Sequence, residues 1–320
     1  MNELLDSRAA DGRPADGRIA AVPDGRRPVG GPRPATPALS LDGLGKSYGP
    51  ARARHRVLRD IDLTVEGGEF VAIIGFSGGG KTTLMSLLAG LIEPDAGAVH
   101  RHGRPIAGPG PDRAIVFQSY SLLPWLTVFG NVELAVRQVR PGLPRGRRRE
   151  FVERFVAMVG LTPALAKFPR ELSGGMRQRV AIARALAMEP DVLLMDEPFG
   201  ALDALTRANL QQEVLEIWQR TRQTVVMVTN DVAEAVLMAD RVLILTPGPG
   251  ATLDREFAID LPRPRDRHAF DVDPAALALR ERITHRLIEL TRSRQEQRAA
   301  AIPPRPAIAP RSFDAIWKIG

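Results

Sequence analysis

The sequence contains no cysteine and no apolar run close to the roughly 18 residues that a membrane-spanning helix requires. The absence of cysteine excludes a disulfide framework, a thiolate metal site and a thiol nucleophile. The first residues, Met-Asn-Glu-Leu-Leu-Asp-Ser-Arg, lack the basic-then-apolar order of a secretory signal. We therefore expect a soluble protein of the cytoplasm.

An excess of charge of one sign is also missing from most of the chain, although the formal net charge is +7. Residues 39–261 hold 26 basic and 25 acidic side chains, whereas residues 262–320 hold 12 and 7. A protein that tracks a phosphate backbone needs a basic face on its folded part. The balanced charge of the central block therefore predicts no nucleic-acid partner.

The two ends of the sequence differ from its centre in composition and in apolar pattern. Residues 1–38 contain six prolines, five glycines and almost no periodic apolar pattern, so this extension is predicted to be disordered. Residues 39–261 form the predicted folded domain. Residues 262–320 are predicted to be a tail with one amphipathic helix over residues 273–292. The apolar face of this helix is expected to contain Leu277, Leu279, Ile283, Leu287 and Leu290.

The central block alternates between strand and helix patterns. Half-buried strands are predicted at residues 41–48 and 57–65, and strands covered on both faces at residues 70–74, 192–195, 225–228 and 242–245. Helical patterns occupy residues 82–91, 148–159, 175–187, 205–221 and 232–238. This order predicts a parallel α/β core, which an inserted and mostly helical subdomain interrupts at about residues 119–170.

A phosphate-binding loop follows the first buried strand. Residues 75–82 read Gly-Phe-Ser-Gly-Gly-Gly-Lys-Thr and fit the pattern G-x-x-x-x-G-K-[ST], between an apolar strand and a helix. The glycines allow successive backbone N–H groups to converge on phosphate oxygens. Lys81 is expected to reach the β- and γ-phosphates, and Thr82 to bind Mg²⁺. The nucleotide-binding residues expected here are Gly75, Ser77, Gly78, Gly79, Gly80, Lys81, Thr82 and Thr83.

Two adjacent carboxylates, Asp196 and Glu197, end another buried strand. Successive side chains of a strand diverge, so the two are expected to have separate tasks. Asp196 is predicted to hold Mg²⁺, and Glu197 to polarise an attacking water. Burying two carboxylates at a strand end without a cation would be costly. Together with the phosphate-binding loop, the pair predicts a P-loop nucleotide hydrolase.

A third motif narrows this class. Residues 172–179 read Leu-Ser-Gly-Gly-Met-Arg-Gln-Arg directly before a helix, where the Ser173 hydroxyl and the glycine N–H groups offer a second anion site. With this motif the sequence closely resembles the ATP-binding-cassette (ABC) ATPases over about residues 39–261. The resemblance implies a RecA-like P-loop core with a parallel sheet, an antiparallel β subdomain and an inserted α-helical subdomain. It also implies that ATP and Mg²⁺ are the cofactors.

The resemblance assigns roles to further residues. Tyr48 resembles the aromatic residue that stacks on adenine, and Gln118 the residue that links the metal site to the helical subdomain. Asp203 matches a dimer-contacting loop. Two copies are expected to sandwich two ATP molecules, with each P-loop facing the signature motif of the other copy. The nucleotide contacts expected from that motif are Ser173, Gly174 and Gly175.

One position departs from the family pattern. Most members place a histidine before an aspartate after the strand at residues 225–228, but here the order is Thr229-Asn230-Asp231. An asparagine amide can donate a hydrogen bond to the γ-phosphate, but it cannot carry a proton or a charge. We predict that Asn230 supports hydrolysis more weakly than histidine would. The alternative is that Asn230 is tolerated and inert.

Several stretches resemble one branch of the family, the importers of nitrate or nitrite, cyanate and bicarbonate, and the neighbouring sulfonate and taurine importers. They are residues 108–113, 229–232, 245–251 and 261–267, and Thr-Asn-Asp at 229–231 favours the nitrate type. Residues 121–128 resemble the groove that receives the coupling helix of a permease. For Trp125 in this stretch, packing in the core of the helical subdomain is a second interpretation.

These expectations combine into an ATP-hydrolysing subunit of an importer for a small anion, peripheral on the cytoplasmic face of the cell membrane. The implied partners are a separate integral-membrane permease, a second ATPase subunit (the same chain or a close paralogue) and, indirectly, a periplasmic or lipoprotein solute-binding protein. Two alternatives stay open. One is a sulfonate or taurine importer ATPase, and the other is an ABC ATPase outside transport.

Overall fold

The structure is a computed structural model that describes residues 36–300. The predicted disorder of the N-terminal extension concerns residues that lie almost entirely outside this range. The last part of the predicted C-terminal tail, residues 301–320, also lies outside it. No helix of residues 36–300 combines the length and the apolar character needed to cross a membrane.

Ten strands and eight α-helices make up the described part of the chain. The strands are β1 Leu39–Tyr48, β2 His55–Val65, β3 Phe70–Gly75, β4 Ala96–Arg101, β5 Arg104–Pro105, β6 Arg113–Val116, β7 Val192–Asp196, β8 Thr224–Thr229, β9 Arg241–Leu245 and β10 Leu253–Ala258. The helices are α1 Lys81–Leu88, α2 Val128–Val139, α3 Arg145–Met158, α4 Gly174–Leu186, α5 Ala204–Thr221, α6 Val232–Met238, α7 Arg267–Val272 and α8 Pro274–Ala300.

The larger sheet has six strands in the order β10-β9-β3-β8-β7-β6. All neighbouring pairs are parallel except β9 and β10, which are antiparallel. Every residue of β3, β7 and β8 is buried, as expected for apolar runs covered on both faces. Because β7, β8 and β3 are neighbours, their carboxyl ends bring the P-loop and the residues after Met195 and Thr229 to one edge of the sheet.

The smaller sheet is antiparallel, with the order β2-β1-β4-β5. Side chains alternate across β3, so Val71 and Ile73 face the core that this sheet shares with α1, including Leu84. Phe70 and Ile74 face the larger core, to which the other helices contribute. The parallel core and the antiparallel subdomain that the sequence predicts are therefore both present.

The insertion between β6 and β7 is helical, as predicted, and α2 and α3 pack against each other and against α4. Asn131 is buried and ties the preceding loop to α2, since its amide nitrogen donates to the carbonyls of Leu123, Leu126 and Thr127 at 3.0–3.2 Å. This loop leaves Trp125 69% exposed. The interpretation of Trp125 as a core residue of the subdomain is therefore wrong.

The predicted C-terminal helix corresponds to α8, and it is longer than the apolar pattern indicated. Ile283 is fully buried, and Leu279, Leu287 and Leu290 pack against the larger core, as expected. Leu277 was expected on the same face but is 45% exposed. Ala276 is buried instead, because residues 276, 279, 283, 287 and 290 follow the helical repeat more closely. Residues 262–290 thus contribute to the same core as the strands.

Candidate functional site

The phosphate-binding loop leaves β3 and ends at the start of α1. Gly78 and Gly80 have φ angles of +74° and +95°, which are strained for residues with a side chain. A Cβ atom on Gly80 would also lie 2.8 Å from Cγ1 of Val57 on β2. Ser77 is exposed in this loop and Thr83 is half-buried in the first turn of α1. The backbone conformation of the phosphate-binding loop therefore requires glycine at these two positions.

Lys81 is the point at which three separate motifs meet. Its side chain is only 4% exposed, and Nζ donates hydrogen bonds to the carbonyls of Gly75 at 3.1 Å and Phe76 at 3.0 Å. Nζ also donates to Oδ1 of Asn230 at 2.7 Å and forms an ion pair with Oε1 of Glu197 at 3.3 Å. The structure thus brings the predicted lysine, carboxylate and asparagine together at one amino group.

Asp196 and Thr82 form the part of the site that fits a divalent cation. Asp196 is 6% exposed and accepts a hydrogen bond from the Thr82 hydroxyl, while burial raises the pKa of its carboxyl. A bound cation would offset the cost of burying this charge, and both groups are hard oxygen donors. Residues 36–300 hold no cluster of three or more acidic or histidine side chains able to ligate a metal. One carboxylate and one hydroxyl suit Mg²⁺, which proteins commonly bind through one or two carboxylates together with substrate phosphates and water.

Gln118 and Glu197 both approach Gly200. A Cβ atom on Gly200 would be 3.4 Å from Nε2 of Gln118 and 3.8 Å from Oε2 of Glu197. Glu197 has a left-handed backbone with φ +45°, and its N–H donates to the Val228 carbonyl at 2.9 Å. Such backbone strain is concentrated at functional sites. Glu197 pairs with Lys81, whereas Asp196 accepts from Thr82, so the two carboxylates have different partners.

The signature motif and the loop at Asp203 form a second group of predicted residues. Ser173 caps α4 by accepting the N–H of Met176 at 3.3 Å, and Gly174 begins the helix. Gly175 approaches α5 so closely that a Cβ atom there would lie 2.3 Å from Cγ2 of Thr206. Ser173 is exposed, and no hydrogen bond among residues 36–300 joins it to the P-loop.

Asp203 caps α5 and accepts the Thr206 N–H at 3.0 Å, an interaction that holds the pKa of Asp203 below its usual range. Tyr48 ends β1 with 44% of its surface exposed. The amino group of Lys46 lies 5.8 Å from the centre of this ring. Asp203 and Tyr48 are thus both exposed. A contact with a second copy is expected at Asp203, and a contact with the nucleotide at Tyr48.

Sequence reasoning missed a buried polar pair next to the site. Gln211 on α5 and Glu234 on α6 are both buried, and Nε2 of Gln211 donates to Oε2 of Glu234 at 2.7 Å. Burial raises the pKa of Glu234 to about 7. The sequence feature that could have revealed this pair is Gln211 itself. It lies one residue after Leu210 and four before Leu215, where the apolar pattern of α5 predicts a core residue.

A P-loop lysine, a buried aspartate bonded to the P-loop threonine and a second carboxylate beside the lysine define the class of P-loop nucleotide hydrolases. Residues 58–200 match the family model described as ABC transporter. Within the P-loop class, this match and the 48% identity to an ATP-binding import protein over 76% of the chain show that the chain belongs to the ABC transporter family, and it is an ATPase of that family. The predicted α/β fold class and the predicted ATPase activity are thereby confirmed.

Similar proteins support this assignment over most of the chain. The nitrate import ATP-binding protein NrtD of Synechococcus elongatus is 48% identical over 242 residues, which cover 76% of this chain and 88% of NrtD. The nitrate transport protein NasD of Klebsiella oxytoca is 49% identical over 254 residues, which cover 79% of this chain and 97% of NasD. The bicarbonate transport ATP-binding protein CmpD of Synechococcus elongatus is 48% identical over 244 residues, covering 76% and 88%.

A solved structure shares the fold. It is the dimeric post-hydrolysis state of the ATP-binding cassette MJ0796 bound to ADP and Pi, which is 31% identical to this chain and has a TM-score of 0.63. The similarity covers 70% of this chain and all of that one.

Proposed function

We propose that this chain is the ATP-hydrolysing subunit of an importer that takes up a small anion of the nitrate type through a separate permease. The observation that carries the proposal is the 48–49% identity to nitrate and bicarbonate import proteins over most of their length. The Thr-Asn-Asp order at residues 229–231 points in the same direction. The meeting of Glu197 and Asn230 at Lys81 supports the hydrolytic part.

In this proposal the P-loop glycines and Lys81 bind the phosphates of ATP, and Tyr48 stacks on adenine. Thr82, Asp196 and Gln118 would hold Mg²⁺, which neutralises the charge of the β- and γ-phosphates when bound. Glu197 polarises the attacking water as a general base.

Asn230 has a geometry suited to the γ-phosphate. Its Oδ1 accepts from Lys81, which leaves the two donors of Nδ2 for a phosphate oxygen. The amide thereby orients two groups of the site at once, but it adds no positive charge to the transition state. This difference is the basis for expecting slower hydrolysis than with histidine.

A second ATPase subunit completes the site in this proposal. Ser173 and Asp203 are exposed, no hydrogen bond among residues 36–300 joins Ser173 to the P-loop, and the similar cassette MJ0796 is dimeric. We infer that the signature motif of one copy contacts the ATP bound by the other. The second copy is the same chain or a close paralogue.

The permease is proposed to dock at residues 121–128, where Trp125 offers a large exposed apolar surface. This contact places the chain at the cytoplasmic face of the cell membrane. A periplasmic or lipoprotein solute-binding protein acts on the chain only through the permease.

The test is the ATPase rate of the purified chain with different partners. We expect stimulation by reconstituted permease with loaded solute-binding protein, and none by DNA or RNA. A Trp125→Ala variant is expected to keep its basal rate and lose the stimulation. Stimulation by nucleic acid, with no response to the permease, would contradict the importer assignment.

A further inference from the structure

Helix α6 begins two residues after Asn230, with Asp231 as its cap, so the placement of the helix affects where this asparagine lies. The Thr229 hydroxyl accepts the N–H of Asp231 at 3.0 Å. The Asp231 carboxylate then caps α6 by accepting the N–H of Glu234 at 3.1 Å. Asn230 thus lies between the last residue of β8 and the cap of α6. A shift of this short helix would move Asn230 relative to Lys81.

Two arginines hold the carboxyl end of α6. Arg265 is only 5% exposed, and its guanidinium donates to the carbonyls of Val236 at 3.0 Å, Leu237 at 3.2 Å and Ala239 at 2.6 Å. The same group donates to the carbonyls of Ile259 and Leu261 at 3.0 and 3.2 Å. The last carbonyls of a helix have no partner within the helix and favour a cation. Arg265 therefore satisfies them from the C-terminal segment.

Arg263 adds to this attachment. Its guanidinium donates to the carbonyl of Met238, the last residue of α6, at 2.7 Å, and to the Asp240 carboxylate at 2.8 and 3.0 Å. It also lies 4.2 Å from the centre of the Trp218 ring on α5. The carboxyl end of α6 is consequently fixed both to the C-terminal segment and to α5.

A third arginine reaches the amino end of α6 through buried polar groups. Arg267 donates a hydrogen bond to Oε1 of Gln211, whose Nε2 donates to Glu234. The Glu234 carboxyl also accepts from the hydroxyl of Thr229, the residue before Asn230. A continuous chain of hydrogen bonds therefore joins the C-terminal segment to the start of α6.

We propose that Arg263, Arg265 and Arg267 are positioning residues that hold α6 at both ends and thereby fix Asn230 against Lys81. We name this group the arginine clamp. None of its members touches the phosphate-binding loop, so they act on hydrolysis only through the placement of α6. The consequence for hydrolysis rests on the proposed role of Asn230, whereas the consequence for α6 does not.

Arg267→Met tests the clamp most cleanly. Replacing Arg265 would remove the donor that five carbonyls share and would endanger folding. Arg267 donates one hydrogen bond toward α6, to Gln211, and otherwise forms an ion pair with Asp271 at 4.0 Å. Methionine at this position keeps most of the bulk of the side chain.

Arg286→Met is the matched control, because the ion-pair partners of Arg286 on α8 are Asp254 and Glu289, neither of which belongs to α6. Arg267→Lys retains a donor and serves as the conservative variant.

Two measurements on the full chain test separately whether the arginine clamp holds α6 and whether the placement of Asn230 affects hydrolysis. Amide hydrogen exchange of residues 229–238 reports whether α6 is held, and kcat and KM for ATP report hydrolysis. In Arg267→Met we expect about fivefold faster exchange in this segment, as for the loss of one hydrogen bond. We also expect a lower kcat at unchanged KM. Arg267→Lys and Arg286→Met should resemble the wild type in this segment.

Unchanged exchange of residues 229–238 in Arg267→Met, or an equal increase in Arg286→Met, would overturn the clamp. Asn230→Ala tests the other premise separately. A wild-type kcat in Asn230→Ala would refute the proposed role of Asn230, and the exchange result would still decide whether the clamp holds α6.

Discussion

Protonation of Glu234 makes the free energy of unfolding depend on pH. Its carboxyl is buried between α5 and α6, and burial raises its pKa from 4.5 to about 7. The hydroxyl of Thr229 and the amide of Gln211 donate to the carboxyl and oppose this change, as does Arg207, whereas the charge of Asp231 adds to it. The neutral form of Glu234 is therefore favoured in the folded protein.

The direction in which stability changes with pH follows from the number of protons that the folded and the unfolded chain bind. Between pH 4.5 and 7 the folded chain keeps a proton on Glu234 that the unfolded chain has lost, so stability falls as pH rises through this window. The full effect on the free energy of unfolding amounts to about 3 kcal/mol, since one pKa unit corresponds to about 1.4 kcal/mol. Most of it, about 2.5 kcal/mol, falls between pH 5 and pH 8.

Glu234→Gln removes this titration and keeps an oxygen that accepts from Gln211. We expect denaturant unfolding to show that the variant gains about 2.5 kcal/mol relative to the wild type when the pH changes from 5 to 8. Glu216→Gln is the matched control, because this carboxylate of α5 is exposed to water, and this variant should not reproduce the gain. A difference between Glu234→Gln and the wild type that is the same at pH 5 and pH 8 would refute the reasoning.

Three further variants test the site. Glu197→Gln should bind ATP without turnover and accumulate as an ATP-bound dimer in size-exclusion chromatography. Asn230→His should raise the turnover of ATP, because histidine can carry the proton and charge that asparagine cannot. Gly80→Ala should lose ATP binding in a titration and about 1–3 kcal/mol of stability, since its φ of +95° and the contact with Val57 both exclude a Cβ atom.

Each of these variants has a clear contrary outcome. Undiminished turnover in Glu197→Gln would overturn the assignment of the general base. An unchanged or lower rate in Asn230→His would remove the idea that asparagine is the weaker group. Normal ATP affinity in Gly80→Ala would show that the loop adapts to a side chain, against the geometry described here.

The sequence patterns were most informative where structure is local. The P-loop, the buried runs that became β3, β7 and β8, and the strand that ends at Asp196 depend on short stretches with a distinct composition. The meeting of Asn230 with Lys81 depends instead on β8 lying beside β3, because these residues are 149 positions apart. The sequence motifs assigned each residue separately to the γ-phosphate, and their direct hydrogen bond was not predicted.

The features that were missed depend on contacts made at long range. Residues 261–267 contributed only a family resemblance to the sequence analysis, yet Arg265 is buried there and donates to carbonyls of α6 and of the preceding chain. Its partners are up to 29 residues away and are main-chain atoms, which leave no trace in a side-chain pattern. For Trp125 the interpretation as a core residue is wrong, because this large apolar side chain remains exposed where a permease is proposed to bind.

Uptake of labelled nitrate by cells that lack this protein tests the central claim most directly, with bicarbonate, cyanate and sulfonates measured in parallel. Nitrate uptake should be lost, restored by the wild-type chain, and not restored by Glu197→Gln produced at the same level. Nitrate uptake that persists without the chain, or a loss confined to sulfonates, would contradict the account.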